Sequence, residues 1–256
     1  MSIILNEREW VESVVSSRQL GAHPVETLGR VARYYHQCEG YTKIDVRDKL
    51  EKFLLQCDPG AILFRWSDTL DKCAKSADRY PIIELDGVDV TESEVKAIEA
   101  LAKGPHQRVA FTLLCVAKYW DAVQPRNNGW VNSSDKEIMA MANVQTTVRR
   151  QNLILYEIKS RGMIGFSKRI DNLNIRVNFF DIDSPVAIQI TDFRNLGNQW
   201  TMYQGGPFLQ CEHCGLTIKR RSNVQKYCAE CAAEKHIQDS LELSNRRYRN
   251  LRVPPS

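Results

Sequence analysis

The chain has 256 residues, with 35 Lys and Arg against 31 Asp and Glu, a formal charge of +4. That length accommodates one large domain or roughly two to three small ones. No apolar run is long enough to span a bilayer, and Met1-Ser2-Ile3-Ile4-Leu5 is too short for a signal segment, so a cytoplasmic protein is expected. From Thr201 onward nine basic residues face five acidic ones, a net of +4, so residues 1–200 are balanced. A second basic island, Gln145 to Arg169, carries six Lys and Arg against one Glu. Phosphate backbones select clusters of this kind, although a solvated surface is the ordinary alternative.

Residues 1–90 read as a helical domain. Asn6 can cap a helix that begins at Glu7. Val25, Leu28, Val31, Ala32 and Tyr35 recur at three- and four-residue steps and form one apolar face. Val46, Leu50, Phe53, Leu54 and Cys57 do the same before Asp58-Pro59-Gly60 stops the helix. Trp66 to Arg79 is a shorter helix candidate. Pro81 to Leu85, a turn at Asp86-Gly87, and Val88 to Val90 predict a small hairpin. No catalytic constellation is present here, and a packing or partner-binding role is expected.

Residues 91–183 carry a denser pattern. Thr91-Glu-Ser-Glu94 is a capping box ahead of Val95, Ile98 and Leu101. A second helix puts Val109, Leu113, Val116, Ala117 and Trp120 on one face. Pro125 to Gly129 breaks the chain, and Trp130-Val131 can form a brief strand. Ser134-Asp-Lys-Glu137 is another capping box, opening a short helix that a turn at Asn143-Val-Gln closes. A helix follows from about Thr146 to Arg161. Then come Met163 to Phe166, a turn near Asp171-Asn172, and a strand in which Ile175, Val177 and Phe179 alternate with polar residues.

Helix, short strand, helix, tight turn, helix and two-stranded hairpin in this order resemble the winged helix-turn-helix. The resemblance implies that helix 146–161 enters the major groove and that the wing, 164–180, meets the backbone. Val148, Leu155 and Ile158 would face the core, while Gln145, Thr146, Arg149 and Arg150 would meet bases or phosphates, joined by Lys168 and Arg169 at the wing turn. Leu153 interrupts the polar face. A winged-helix module that binds protein, with solvated arginines, is the alternative reading.

In residues 184–206, Val186 to Ile190 alternate like a strand. Thr191 to Gly206 read as a linker rich in Asn, Gln and Gly, which either leaves the next module mobile or docks it through Phe193, Trp200 and Tyr203.

Residues 207–250 hold the most specific motif. Cys211-Glu-His-Cys214-Gly and Cys228-Ala-Glu-Cys231 are two CxxC pairs thirteen residues apart, with Gly215 suited to a tight turn. Four thiolates at this spacing fit a tetrahedral structural Zn²⁺ with no open position for catalysis. Paired disulfides would need an oxidising compartment, and a redox CxxC is usually single. Turn, hairpin and a CxxC at a helix start look like a treble-clef zinc finger, with a basic helix running to Asn250 and a tail over 251–256. His213 and His236 are left without a metal role, and Cys38, Cys57, Cys73 and Cys115 are expected to be reduced packing residues.

The fold class expected is mainly α with small β hairpins. As a whole the arrangement is also similar to uncharacterised DNA-binding-type proteins of Gram-positive bacteria and their phages. The function expected is binding of double-stranded DNA, as a transcriptional regulator or a replication-initiation factor of a phage or mobile element. Lys219, Arg220 and Arg221, with Arg246, Arg247 and Arg249, would add phosphate contacts. The alternatives are a phage or mobile-element protein that binds a host machine through residues 1–90, and an RNA-binding zinc protein. An enzyme is not expected: the Cys set is closed, and no Walker loop, GxSxG or paired carboxylates occur.

Overall fold

The structure, a computed structural model, describes residues 3–167 and 174–251, with side chains as far as Ser244. The chain forms two compact units, 1–87 and 88–256. Both are mainly helical, with small antiparallel sheets in the second.

The first unit packs α1 (Glu7–Ser17), α2 (Pro24–Gln37), α3 (Lys43–Cys57) and α4 (Leu63–Lys75) around Val11, Leu28, Val31, Leu50, Phe53, Leu54 and Leu70. Asn6 caps α1 by accepting from the Glu9 amide, as its sequence position implies. Thr42 and Asp45 form a capping box on α3. Val25 was expected on the buried face of α2 but lies exposed, because that face starts one turn later at Leu28. The buried Glu7 carboxylate accepts from Arg30 and Arg33 at 3.1 and 2.6 Å. Charge neutralisation of this kind is what lets an acid sit in a core.

The hairpin expected over 81–90 does not form. Instead the Leu85 amide donates to Leu5 and the Glu7 amide to Ile83, so the segment pairs with the chain's own start. Its second half, β1 (Val88–Thr91), belongs to the other unit and pairs antiparallel with β5 (Val186–Ile190), Val88 opposite Ile190.

The second unit is built on α6 (Pro105–Val123). Val109 to Ala117 are all buried, not one face alone. Around it lie α5 (Glu92–Glu99), α7 (Asp135–Met141) and α8 (Val148–Ser160), the first two opened by their capping boxes at Thr91 and Ser134. A three-stranded sheet in the order β2 (Trp130–Val131), β4 (Ile175–Val177), β3 (Ile164–Phe166) packs on the same core. Gly129, at φ 78°, lets the loop before β2 turn sharply against the Val177 carbonyl.

The segment expected as a linker contains α9 (Leu196–Tyr203), and its docking alternative is the one observed. Trp200 is only 2 % exposed, its ring lies 5.1 Å from Phe111, and its Nε1 donates to Gln107 at 3.3 Å. The buried Phe193 ring lies 5.6 Å from Tyr119 in a tilted arrangement, whereas Tyr203 is exposed. This second cover explains why Val109 to Ala117 of α6 are buried on every side. Beyond α9, β6 (Phe208–Gln210) and β7 (Thr217–Lys219) form a hairpin, and α10 (Ala229–Leu251) ends the described chain.

No described helix is long and apolar enough to cross a membrane.

Candidate metal centre and nucleic-acid interface

The four cysteines converge from three local structures. Cys211 and Cys214 flank the turn between β6 and β7, where Gly215 at φ 71° allows its amide to donate to the Cys211 carbonyl at 2.9 Å. Cys228 sits just before α10, and its carbonyl accepts the first helical bond, from Ala232. Cys231 lies in the first turn of the helix. The loop between hairpin and helix is closed by the Glu212 amide on Lys226 O, 3.0 Å, and by a Lys226–Glu212 ion pair at 3.2 Å.

All four sulfurs lie within 4.8 Å of one another, and Cys214 Sγ is 3.8 Å from Cys228 Sγ. No disulfide is present, since the bond requires sulfurs about 2.0 Å apart. A tetrahedral ion with metal–sulfur bonds of about 2.3 Å spaces its sulfurs by about 3.8 Å. The cluster therefore has the dimensions of a metal site.

Its electrostatics point the same way. Burial pushes the Cys211 thiol up, but backbone amides of Cys214, Cys228 and His213 outweigh it and bring the group down to about 6. The Cys228 amide reaches Cys211 Sγ at 3.3 Å, and the Cys231 amide reaches Cys228 Sγ at 3.4 Å. Cys214 is pushed up by burial. Cys231 is pushed up by its hydrogen bond with the Cys228 side chain and then by burial. One thiolate is thus prepared, while others resist ionising in the same small volume. A cation between the sulfurs removes that conflict, so the donor set fits a metal ion.

His213 and Glu234 approach Cys231 to form a second possible grouping, but both are exposed and they share a ligand with the four-cysteine cluster. His236 is exposed as well. Of the remaining cysteines, Cys73 and Cys115 are buried, and Cys38 and Cys57 are half-buried.

The nucleic-acid residues expected from the sequence fall into two groups. Gln145, Thr146, Arg149 and Arg150 are all exposed at the start of α8, where Thr147 caps the helix. The core side of α8 is Ile154, Leu155 and Ile158. Val148 departs from expectation: it is 69 % exposed, because the first turn of α8 extends past the core. Leu153 is also exposed. Lys219, Arg220 and Arg221 are exposed at the end of β7. Lys168 and Arg169 lie outside the described residues, as do the side chains of Arg246, Arg247 and Arg249.

Two supporting residues escaped the sequence reading. Arg194, paired with Asp192 at 2.8 Å, donates to the Cys214 carbonyl at 2.6 Å and so braces the cysteine turn. Asn198, buried in α9, donates to the Thr217 carbonyl of β7 at 3.3 Å. Both lie in the segment read as a linker, where no periodic pattern marks them.

No protein-family model, curated protein or solved structure matches this chain.

Proposed function

We propose that this chain is a zinc-containing DNA-binding protein, acting as a transcriptional regulator or as a replication-initiation factor of a mobile element. The observation that carries the reading is the exposed polar start of α8. Gln145, Thr146, Arg149 and Arg150 project there after a short turn from α7, beside a three-stranded sheet of order β2-β4-β3. This succession of helices and strands supports a winged helix-turn-helix, in which α8 would lie in the major groove and the β3–β4 hairpin would serve as the wing. Arg149 and Arg150 would contact guanine edges or phosphates, and Gln145 and Thr146 would contact bases or backbone.

The cysteine module would be the second element, a treble-clef finger with Zn²⁺ on Cys211, Cys214, Cys228 and Cys231. With four protein ligands the ion is structural, and it closes a module too small to fold on its own core. Lys219, Arg220 and Arg221 would add phosphate contacts, together with Arg246, Arg247 and Arg249.

Gel shifts of a random duplex pool test the reading. Binding should weaken with salt and fall at least tenfold in the Arg149→Ala/Arg150→Ala double variant. Duplex binding that ignores both salt and these substitutions would exclude it, and RNA competing better than DNA would favour a different polymer.

A second reading is favoured by one specific observation. Ile44, Ile62 and Phe64 of the first unit are exposed, Phe64 by 91 %. Large apolar side chains left in water favour a protein partner for residues 1–90. One stoichiometric protein recovered after nuclease treatment, and lost with Phe64→Ser, would support it.

A further inference from the structure

A continuous set of contacts runs from the cysteine hairpin to the turn that precedes α8. Asn198 stands at its centre. Its Nδ2 donates to the Thr217 carbonyl, two residues beyond the glycine of the cysteine turn, and its Oδ1 accepts from Asn143 Nδ2 at 2.8 Å. Asn143 is the left-handed residue of the α7–α8 turn, at φ 51°. Its carbonyl in turn accepts from Arg108 of α6 at 2.8 Å. One residue away, Gly197 packs so closely on Ala142 that an added Cβ would meet the Ala142 carbonyl oxygen at 1.9 Å. Helix α9 therefore rests on the turn along its backbone and holds the hairpin by the neighbouring side chain.

We propose that metal binding at the four cysteines sets the conformation of the Asn143–Thr147 turn, with Asn198 and Gly197 as the positioning residues that transmit it. The proposal rests on the DNA-binding reading only for its consequence, which is that the presentation of Arg149 and Arg150 depends on the metal. The physical reason lies in the hairpin. Its strands have only three residues each, and the turn that joins them carries Cys211 and Cys214, so without the ion that turn loses its anchor and the Thr217 carbonyl is held less firmly. Asn198 would then keep a buried N–H with no acceptor, and α9 would lose its side-chain hold on β7 while Trp200 keeps it docked on α6. Asn143 sits in the left-handed region that Asn tolerates at a helix end, and its side-chain bond to Asn198 fixes which way the turn faces α9. Two sites are thus joined by an element whose position both can bias.

Backbone amide exchange on the full chain tests this directly, with Zn²⁺ bound and after chelation. Removal of Zn²⁺ should speed exchange across Asn143–Thr147 at least tenfold while Val109–Ala117 of α6 stay protected. Asn198→Asp keeps the acceptor for Asn143 and loses the donor to Thr217. It should bind one Zn²⁺ per chain and show fast turn exchange with or without the metal. Turn exchange unchanged by chelation, α6 exchanging as fast as the turn, or an Asn198→Asp turn that still follows the metal would each overturn the proposal. If that variant does not fold, the wild-type comparison decides alone. Duplex binding in the same samples separates the two readings. A metal-sensitive turn without duplex binding removes the DNA-binding function and leaves the coupling, and a metal-insensitive turn with duplex binding does the reverse.

Discussion

The Lys118 ammonium lies 2.7 Å from the carboxylate of Glu94, whose side chain is wholly buried. The same carboxylate accepts from the amides of Thr91 at 2.8 Å and Asp181 at 2.9 Å. One acid thereby ties α5, α6 and the segment after β4. Breaking such a pair leaves a charge buried without its partner, at a cost of about 3–5 kcal/mol. Glu94→Ala should therefore destabilise the second unit by that amount in urea denaturation. Glu94→Leu combined with Lys118→Met should cost less than Glu94→Ala alone, because no charge is then stranded.

Gly129 tests a steric claim. A Cβ at this position would meet the Phe180 ring at 2.5 Å and the Val177 carbonyl oxygen at 2.7 Å, at a φ of 78°. Gly129→Ala should cost about 1–3 kcal/mol and shift the midpoint of denaturation without changing its slope.

Besides the Asn143–Thr147 turn, the metal is expected to hold the cysteine module, which lacks a core of its own. Binding to four cysteines contributes on the order of 10 kcal/mol to a module of this size. Chelation should therefore open residues 207–251 to limited proteolysis and lower the helical signal by the share of α10. The melting transition of residues 1–87 should not move. Cys228→Ser should reproduce both effects with no chelator present, and metal analysis should find less than one ion per chain.

Tyr35 gives a pH test. Burial, and then the charge of Glu39, raise its phenol from 10 to about 12. The unfolded chain releases that proton near pH 10 and the folded chain does so two units later, so the stabilisation is complete below pH 10 and fades as pH rises to 12. The loss amounts to about 2–3 kcal/mol. Stability of the first unit should fall across that window, and Tyr35→Phe should flatten the fall. Ultraviolet titration should show a late phenolate near pH 12 in wild type that Tyr35→Phe removes.

Arg149 and Arg150 should separate binding from folding. Both are exposed, so replacing each by Ala should change stability by no more than about 0.5 kcal/mol. If each neutralises one phosphate, the slope of log binding constant against log salt should become shallower by about 0.9 per substitution.

What the sequence determined by itself is local. The two CxxC pairs bring their sulfurs together because each pair spans a single turn, and the Glu212 amide on the Lys226 carbonyl closes the loop between them. The capping boxes at Thr91 and Ser134 start α5 and α7 because their bonds reach only three residues. The core side of α8 follows its period at Leu155 and Ile158, and fails at Val148, where the helix outruns the surface beneath it. Tertiary structure decided the rest. Val88 pairs with Ile190 rather than with Leu85, since a strand edge is completed by whichever partner packing brings to it. The polar run after Ile190 becomes a docked helix because α6 presents a second apolar face that Trp200 covers. Asn198 joins the cysteine hairpin to the turn before α8 through two hydrogen bonds to residues distant in the chain, and no local pattern records such an arrangement.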